Sequence, residues 1–216
     1  MEKRSFKVAI FDLDGVLVDT AHYHFLAWRR IAAELGFEFT EKDNERLKGV
    51  SRMRSLEILL EVGNVILTEP EIIKLASKKN EWYCEYLCEI NENSLLPGAL
   101  EFLDWLKEKG VLIALGSASK NARTILNSLK ITDFFDVIID GNVVKEAKPN
   151  PEVFLKSLEE LMVTPVECVV FEDAYAGIEA AKAGGMYAVG IGSPINLPNA
   201  NICFENLAAP EIRDLF

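Results

Sequence analysis

The stretch Val8-Ala9-Ile10-Phe11-Asp12-Leu13-Asp14-Gly15 decides the fold of this chain. Its four leading apolar residues are typical of a parallel strand that is buried on both faces. Asp12 and Asp14 follow at the carboxyl end of the predicted strand, where open α/β sheets bind their ligands. Their side chains share one side of an extended chain, and carboxylates so close repel each other unless a cation is present. We therefore predict a ligand site here, with a strand that merely ends in an acidic turn as the alternative.

Short apolar runs with the composition of strands recur along the rest of the chain, and stretches with helical periodicity separate them. The runs are residues 111–115, 137–139, 166–171 and 187–191, and the helical stretches are residues 99–109, 121–129, 151–161 and 174–183. Strands that alternate with helices are connected by right-handed crossovers, which produce a parallel sheet covered on both faces. The predicted fold class is therefore α/β.

Between Thr20 and about Asn93 the strand pattern almost disappears, and amphipathic helical patterns replace it. We predict that residues 17–93 form a helical cap domain, inserted into a discontinuous α/β core domain of residues 1–16 and 94–216. Such an insert, placed directly after the first strand, is expected to lie over the carboxyl edge of the sheet. The two connections between the domains would then be hinges for closure around a substrate.

The composition argues against several classes of function. The chain has 216 residues, half of them hydrophobic, and a net charge of −11, which disfavours nucleic-acid and anionic-membrane surfaces. The sequence contains no stretch of membrane-spanning length and no signal-peptide pattern, so we expect a cytoplasmic protein. Its four cysteines form no Cys-x-x-Cys motif, and neither a zinc site nor a disulfide framework is indicated.

Four motifs, in order along the chain, resemble those of the haloacid dehalogenase (HAD) superfamily of phosphotransferases. They are Asp12-Leu13-Asp14-Gly15, Ser117, Lys148-Pro149 and Glu172-Asp173. The resemblance covers essentially the whole chain and places each motif at the end of a predicted strand. It implies a Rossmann-like HAD core with a parallel sheet, an inserted α-helical cap domain, Mg²⁺ as the cofactor, and a monomer.

Phosphoryl transfer needs an in-line nucleophile, neutralisation of the phosphate charge, and a proton donor for the leaving group. We predict Asp12 as the nucleophile, because carboxylates form aspartyl-phosphates as covalent intermediates. The resemblance assigns general acid and base catalysis to Asp14 and phosphate neutralisation to Lys148. Ser117 and the Ala118 amide lie at a strand-to-helix turn, where exposed N–H groups favour an anion, although a simple helix cap is the alternative.

Mg²⁺ prefers oxygen ligands, and the two acidic motifs supply them. The resemblance implies coordination by Asp12, by the backbone carbonyl of Asp14 and by Asp173. Glu172 is then either a further ligand or a neighbouring supporting group. The alternative for Glu172 and Asp173 is an acidic cap of the helix that begins near residue 174.

Four segments carry a closer similarity to the sugar-phosphate mutases of this superfamily: residues 20–28, 47–52, 117–121 and 172–178. It implies that Arg52, with its planar fork of donors, holds the phosphate that is not being transferred. It also implies that Thr20 and His24 position the general acid and base when the cap closes. The remaining residues that it places around the substrate are Trp28, Lys48, Gly49, Val50, Ser51, Ser55, Lys79, Ser119 and Asn121.

Three of these residues also have a purely structural interpretation. Arg52 would be a solvated surface charge, His24 a satisfied structural histidine and Trp28 a core residue of an amphipathic helix.

The expected partner is a small-molecule sugar phosphate, with no nucleic acid and no membrane. The reaction that the resemblance implies interconverts β-D-glucose 1-phosphate and D-glucose 6-phosphate through an aspartyl-phosphate at Asp12 and β-glucose 1,6-bisphosphate. A sugar-phosphate phosphatase of the same superfamily, acting on a hexose or deoxyhexose phosphate, is the enzymatic alternative. A non-catalytic sugar-phosphate-binding regulator is the other, and it predicts the loss of a motif residue, whereas all four motifs are intact.

Overall fold

The computed structural model describes residues 6–216, so residues 1–5 of the predicted core domain lie outside the described part of the chain. Six parallel strands form one sheet. They are β1 (Val8–Phe11), β2 (Leu112–Gly116), β3 (Val137–Ile139), β4 (Cys168–Glu172), β5 (Tyr187–Ile191) and β6 (Ile202–Phe204). Their order is β3-β2-β1-β4-β5-β6, which places β1 between β2 and β4. The predicted α/β class with a parallel sheet is confirmed.

The helices fall into two groups along the chain. Five α-helices lie between β1 and β2, and the first four of them form one group: α1 (Ala21–Glu34), α2 (Glu41–Asn44), α3 (Arg52–Gly63) and α4 (Glu69–Leu87). Four alternate with the later strands: α5 (Ala99–Glu108), α6 (Ala122–Leu129), α7 (Glu152–Leu161) and α8 (Tyr175–Ala183). The first group is the predicted helical insert, whereas the domain limits at residues 16 and 94 stay a prediction.

The central strand β1 is completely buried, with every side chain 0% exposed. Its alternate residues enter two separate hydrophobic layers, Ala9 and Phe11 on one face of the sheet and Val8 and Ile10 on the other. Phe11 stacks on the Phe171 ring at 4.8 Å between centroids. Helices therefore cover both faces of the sheet, and this is why β1 reads as an unbroken apolar run in the sequence.

The helical insert has its own packing. The guanidinium of Arg30 on α1 lies 3.8 Å from the centroid of the Trp82 ring on α4, and Lys78 on α4 pairs with Glu34 on α1 at 2.6 Å. Among the described residues, no helix has both the length and the apolar content needed to cross a membrane.

Apart from shifts of one residue at the ends of β2 and β4, two details of the strand pattern differ from the prediction. Val166 and Glu167 belong to a turn of 3₁₀ helix before β4, not to the strand itself. The cause is local: Pro165 suits the first position of a helix, and the Glu167 carboxylate accepts hydrogen bonds from the amide and hydroxyl of Thr164. Strand β6 was not predicted, because its three residues are at most partly buried and form a short edge.

The sheet order brings the predicted motifs together. In register, Phe11 of β1 pairs with Leu115 of β2 and with Phe171 of β4. The residues that follow these positions therefore leave the sheet at one edge. Asp12, Ser117 and Glu172 meet there, although they come from three distant parts of the chain.

Candidate active site

A cleft of about 780 Å³ is lined both by the carboxyl edge of the sheet and by the helical insert. All the predicted site residues line it except Thr20, Ser117 and Glu172, which are buried. Those that line it are Asp12, Asp14, His24, Trp28, Lys48, Gly49, Val50, Ser51, Arg52, Ser55, Lys79, Ala118, Ser119, Asn121, Lys148 and Asp173. The structure thus brings together residues predicted from widely separated parts of the chain.

A buried ion-pair network lies at the sheet edge. The ammonium of Lys148, from the loop after β3, lies 2.5 Å from Oδ1 of Asp12 and 2.8 Å from Oε2 of Glu172. Burial alone would lower the pKa of Lys148, but the Asp12 and Glu172 carboxylates outweigh it and raise that pKa overall. Lys148 is therefore a permanent positive charge beside the predicted nucleophile.

Three carboxylates around this lysine form a cluster that fits a divalent cation. Asp12, Glu172 and Asp173 each offer an oxygen, and these atoms lie within 4.8 Å of one another. Burial, followed by repulsion from Glu172 and Asp12, raises the pKa of Asp173 well above its usual range. The donor set is all oxygen and carries excess negative charge around one ammonium, which is the chemistry that Mg²⁺ selects.

The contacts of Glu172 distinguish between its two predicted roles. One carboxylate oxygen accepts from Lys148, and the other accepts from the Ala174 amide at 3.1 Å. Burial, with Asp12 nearby, raises the pKa of Glu172 to about 7. Because both oxygens already have protein partners, the geometry favours a supporting role for Glu172 over direct coordination.

Gly15 keeps the space beside Asp173 open. Its φ of +80° lies in the left-handed region, and a Cβ atom at this position would overlap the Asp173 carboxylate. The acidic motif after β1 therefore requires glycine for backbone conformation and also for room at the predicted cation site.

The Asp14 side chain, close to the carboxylate cluster, accepts a hydrogen bond from the hydroxyl of Thr20. Burial, with repulsion from Asp12, raises the pKa of Asp14 to about 7. Thr20 therefore holds one oxygen of the Asp14 carboxylate, and coordination of a metal by the Asp14 backbone carbonyl stays a prediction of the resemblance.

A second group of side chains lies on the insert side of the cleft. Nζ of Lys79 lies 2.6 Å from Nδ1 of His24, whose ring stacks on Tyr83 with centroids 4.0 Å apart. Burial and the neighbouring cations Lys79 and Arg52 lower the pKa of His24, which favours a neutral ring that accepts from the lysine. Nζ of Lys79 also lies 4.7 Å from the centroid of the Trp28 ring.

The turn after β2 is organised by its own serines. Oγ of Ser117 accepts from the Ser119 amide at 3.1 Å, and Oγ of Ser119 accepts from the Asn121 amide at 3.2 Å. Within residues 6–216, the Ala118 amide has no hydrogen-bond partner, and Ala118 lines the cleft. One backbone donor is thus left for an anion at the predicted position.

The segment at residues 48–52 approaches the core from the insert. A Cβ atom on Gly49 would lie 2.8 Å from the Cβ of Ala174, so this loop is in close contact with the start of α8. Oγ of Ser51 accepts from the Arg54 amide at 3.2 Å and caps α3, which starts at Arg52. Arg52 is thereby held at the first position of a helix that faces the cleft.

Asn80 and Tyr83 are among the residues of α4 that line the cleft and were not predicted from the sequence. Both belong to the face of α4 that carries Ala76 and Lys79, at spacings of three and four residues. That helical spacing was a usable signal, but only the packing of α4 over the sheet edge shows that this face meets the site.

Residues 6–185 match the family model of the haloacid dehalogenase-like hydrolases. The chain belongs to this family. The fold described above therefore belongs to a haloacid dehalogenase-like protein. Its helices are inserted after the first strand of a parallel α/β sheet, and its aspartates lie at the sheet edge.

Individual family members narrow the comparison. The chain is 44% identical over 188 residues to the β-phosphoglucomutase of Bacillus subtilis, covering 86% of this chain and 83% of that protein. It is 37% identical over 183 residues to a phosphorylated carbohydrates phosphatase of Thermotoga maritima, covering 83% and 82% of the two chains. The crystal structure of a β-phosphoglucomutase from Clostridium difficile superposes with a TM-score of 0.93 at 42% identity, covering 97% of this chain and 96% of that one.

Proposed function

We propose that this protein is an intramolecular phosphotransferase that interconverts β-D-glucose 1-phosphate and D-glucose 6-phosphate. The reaction passes through an aspartyl-phosphate at Asp12 and through β-glucose 1,6-bisphosphate. The observation that carries the proposal is that one cleft holds two cationic positions, Lys148 at the sheet edge and Arg52 on the insert. A bisphosphate has two anionic groups, and a mutase must hold both while one of them is transferred.

Asp12 is the residue that accepts the phosphoryl group. Lys148 lies against its Oδ1, so Oδ2 remains for attack on phosphorus. Lys148 and the Ala118 amide neutralise the charge on the phosphate oxygens, which is the main electrostatic demand of this reaction.

The acidic cluster fits Mg²⁺, with Asp12, Asp173 and the backbone carbonyl of Asp14 as the residues that would hold it. When bound, the ion would offset the repulsion between the carboxylates and the incoming phosphate. Glu172 keeps Lys148 in place from the other side and so supports the same charge balance.

Asp14 is placed to exchange a proton with the sugar. It would donate to the departing sugar oxygen when Asp12 is phosphorylated, and accept from the attacking hydroxyl in the return step. Thr20, which is hydrogen-bonded to Asp14, precedes α1, and His24 lies one turn further along that helix. The acid and base group is thereby connected to the insert, so that its position depends on closure of the cleft.

Arg52 takes the phosphate group that is not being transferred. Its planar guanidinium offers paired donors that match phosphate oxygens. The bisphosphate intermediate then reorients in the cleft, so that its two phosphates exchange positions and either of them can reach Asp12. Exclusion of water from the closed cleft protects the aspartyl-phosphate from hydrolysis between the two transfers.

The test uses pure β-glucose 1-phosphate with Mg²⁺ and a catalytic amount of β-glucose 1,6-bisphosphate. Glucose 6-phosphate is the expected main product, and inorganic phosphate as the main product would contradict the mutase proposal. Asp12→Asn should lose labelling by a radioactive phosphoryl donor. Arg52→Ala should retain that labelling while mutase turnover falls.

A sugar-phosphate phosphatase remains the second candidate. The phosphatase relative from Thermotoga maritima supports it, because that protein shares much of this sequence. In this reading Asp12 would still form an aspartyl-phosphate, which water would then hydrolyse. The small-molecule substrate class is the same in both candidates, and a monomeric state and a cytoplasmic location stay predictions.

A further inference from the structure

Asn80 joins the two sides of the cleft through one atom. Its Oδ1 accepts from Nη2 of Arg52 at 2.7 Å and from Nδ2 of Asn121 at 2.9 Å. Asn80 belongs to α4 and Arg52 to α3, both in the insert, whereas Asn121 lies in the core immediately before α6. A single amide oxygen therefore contacts the predicted phosphate-binding arginine and the opposite side of the cleft at the same time.

The chemistry of these groups fixes the orientation of the Asn80 amide. A guanidinium has only donors, so the atom that faces Arg52 at 2.7 Å must be the amide oxygen. Asn121 must then present its NH₂ group to the same oxygen, which leaves its own oxygen 3.9 Å from Sγ of Cys84. The arrangement is satisfied in only one way, and it leaves the Asn80 NH₂ group without a hydrogen-bond partner among the described residues.

We propose that Asn80 is a positioning residue. It orients Arg52 towards the phosphate that is not being transferred, and its hydrogen bond to Asn121 forms when the insert closes onto the core. The inference rests on the proposed function, because it assumes that Arg52 binds phosphate. Arg52 is partly buried. A long flexible side chain without a fixed partner loses conformational entropy when it binds a ligand, and this loss lowers the affinity. The Asn80 Oδ1 acceptor restrains the guanidinium of Arg52. The hydrogen bond from Asn121 to the same oxygen requires that α4 lies over the turn after β2.

The central variant is Asn80→Ala, with Glu81→Ala as the matched control on the same helix, where Glu81 is exposed. Loss of a hydrogen bond to a charged group should raise KM for β-glucose 1-phosphate about tenfold. Formation of the phosphoenzyme from acetyl phosphate, which needs only the sheet edge, should stay within about twofold of wild type. Glu81→Ala should change neither quantity.

A double-mutant cycle separates positioning from general damage to the fold. If Asn80 acts through Arg52, then Asn80→Ala should change KM by less than about twofold once Arg52→Ala is present. An equal effect in both backgrounds would overturn the inference. Asn80→Asp is the second variant, because it keeps the acceptor and therefore the packing. Its carboxylate would neutralise Arg52, so KM should again rise, and a wild-type KM for this variant would also refute the proposal.

Binding distinguishes failure of this inference from failure of the proposed function. Isothermal titration calorimetry with β-glucose 1-phosphate needs no turnover, so it applies whichever reaction the wild type catalyses. If no glucose 6-phosphate forms but Asn80→Ala weakens binding in an Arg52-dependent way, the inference stands and the mutase proposal falls. If glucose 6-phosphate forms while Asn80→Ala leaves binding and KM at their wild-type values, only the inference falls.

Discussion

The ammonium of Lys148 lies 2.5 Å from Oδ1 of Asp12, although the two residues are 136 positions apart in the chain. Both side chains are almost completely buried, and the Lys148 ammonium also pairs with Glu172. A buried charge is tolerated only when it is paired, so each member of this network depends on the others. The network therefore serves the stability of the sheet edge and the predicted chemistry together.

Replacement of Lys148 by methionine should impair both properties. The substitution keeps the side-chain volume but leaves two buried carboxylates without their cation, which costs about 3 kcal/mol of unfolding free energy. Labelling of Asp12 by acetyl phosphate should slow by at least about a hundredfold, because one phosphate-neutralising charge is lost. Urea unfolding and a labelling time course measure the two effects.

Lys156→Met is the control for this variant, because Lys156 forms only a surface pair with Glu152 at 3.5 Å. Such pairs contribute less than about 1 kcal/mol, so labelling should be unchanged and unfolding almost so. Equal behaviour of the two variants would show that the buried network has no special role.

Gly15→Ala should disturb the predicted cation site, because the new Cβ would overlap the Asp173 carboxylate. Gly110→Ala is a matched control: Gly110 also has a positive φ, at +69°, but a Cβ there meets nothing within 4 Å. Both variants should lose about 1 kcal/mol of stability from backbone strain. Only Gly15→Ala should raise the Mg²⁺ concentration needed for half-maximal activity, and an identical Mg²⁺ dependence in both would contradict the assigned site.

His24→Ala should shift the partition between mutase and hydrolase activity. It removes the acceptor of Lys79 and the stack on Tyr83, which connect α1 to α4 above the cleft. A looser insert admits water to the phosphorylated Asp12, so the ratio of inorganic phosphate to glucose 6-phosphate should rise. The exposed His22, two residues earlier, provides the control, and His22→Ala should leave that ratio unchanged. An unaltered ratio in His24→Ala would count against the gating role.

Phe102→Ala should be among the most destabilising changes in the core. The Phe102 ring on α5 is 1% exposed and makes edge contacts with Phe11, at 6.0 Å, and with Phe171, at 5.4 Å between centroids. Truncation of such a buried ring costs about 3–5 kcal/mol, measured by urea unfolding. The exposed neighbour Glu101, changed to alanine, should cost less than about 0.5 kcal/mol, and a similar loss for both would refute the packing argument.

Glu167 should give stability a defined acid dependence. The side chain of Lys7 at 2.5 Å and the hydroxyl and amide of Thr164 lower the pKa of Glu167 to about 2, from an ordinary value of 4.5. The folded state thus favours the ionised form, so its stabilising effect is complete above the unfolded pKa and disappears as pH falls towards 2. Glu167→Gln should lower the urea midpoint at about pH 7, by an amount that shrinks at about pH 3.5. An equal decrease at both pH values would exclude ionisation as the cause.

The apolar runs predicted five of the six strands, and the reason is local. A strand such as Val137–Ile139, buried in a parallel sheet, must be apolar along its length, and the alternation with helices then determines the crossovers. Strand β6 escaped prediction because its residues are exposed or only partly buried, whereas two of the three residues of the other edge strand, β3, are buried. The turn at Pro165 escaped because a capping interaction overrode strand propensity.

The acidic motifs after β1 and β4 and the turn beginning at Ser117 were identifiable from the amino-acid sequence, since each follows a recognisable strand, whereas Lys148 was identified through the order of the family's motifs. Sequence order cannot say which side-chain atoms meet, because many of those contacts join different elements of the fold, up to 136 residues apart in the chain. Only the tertiary structure assigns both oxygens of Glu172 to protein donors and places Asn80 between Arg52 and Asn121. The physical reason is that local patterns determine elements, whereas the packing of the insert against the sheet edge determines distances across the cleft.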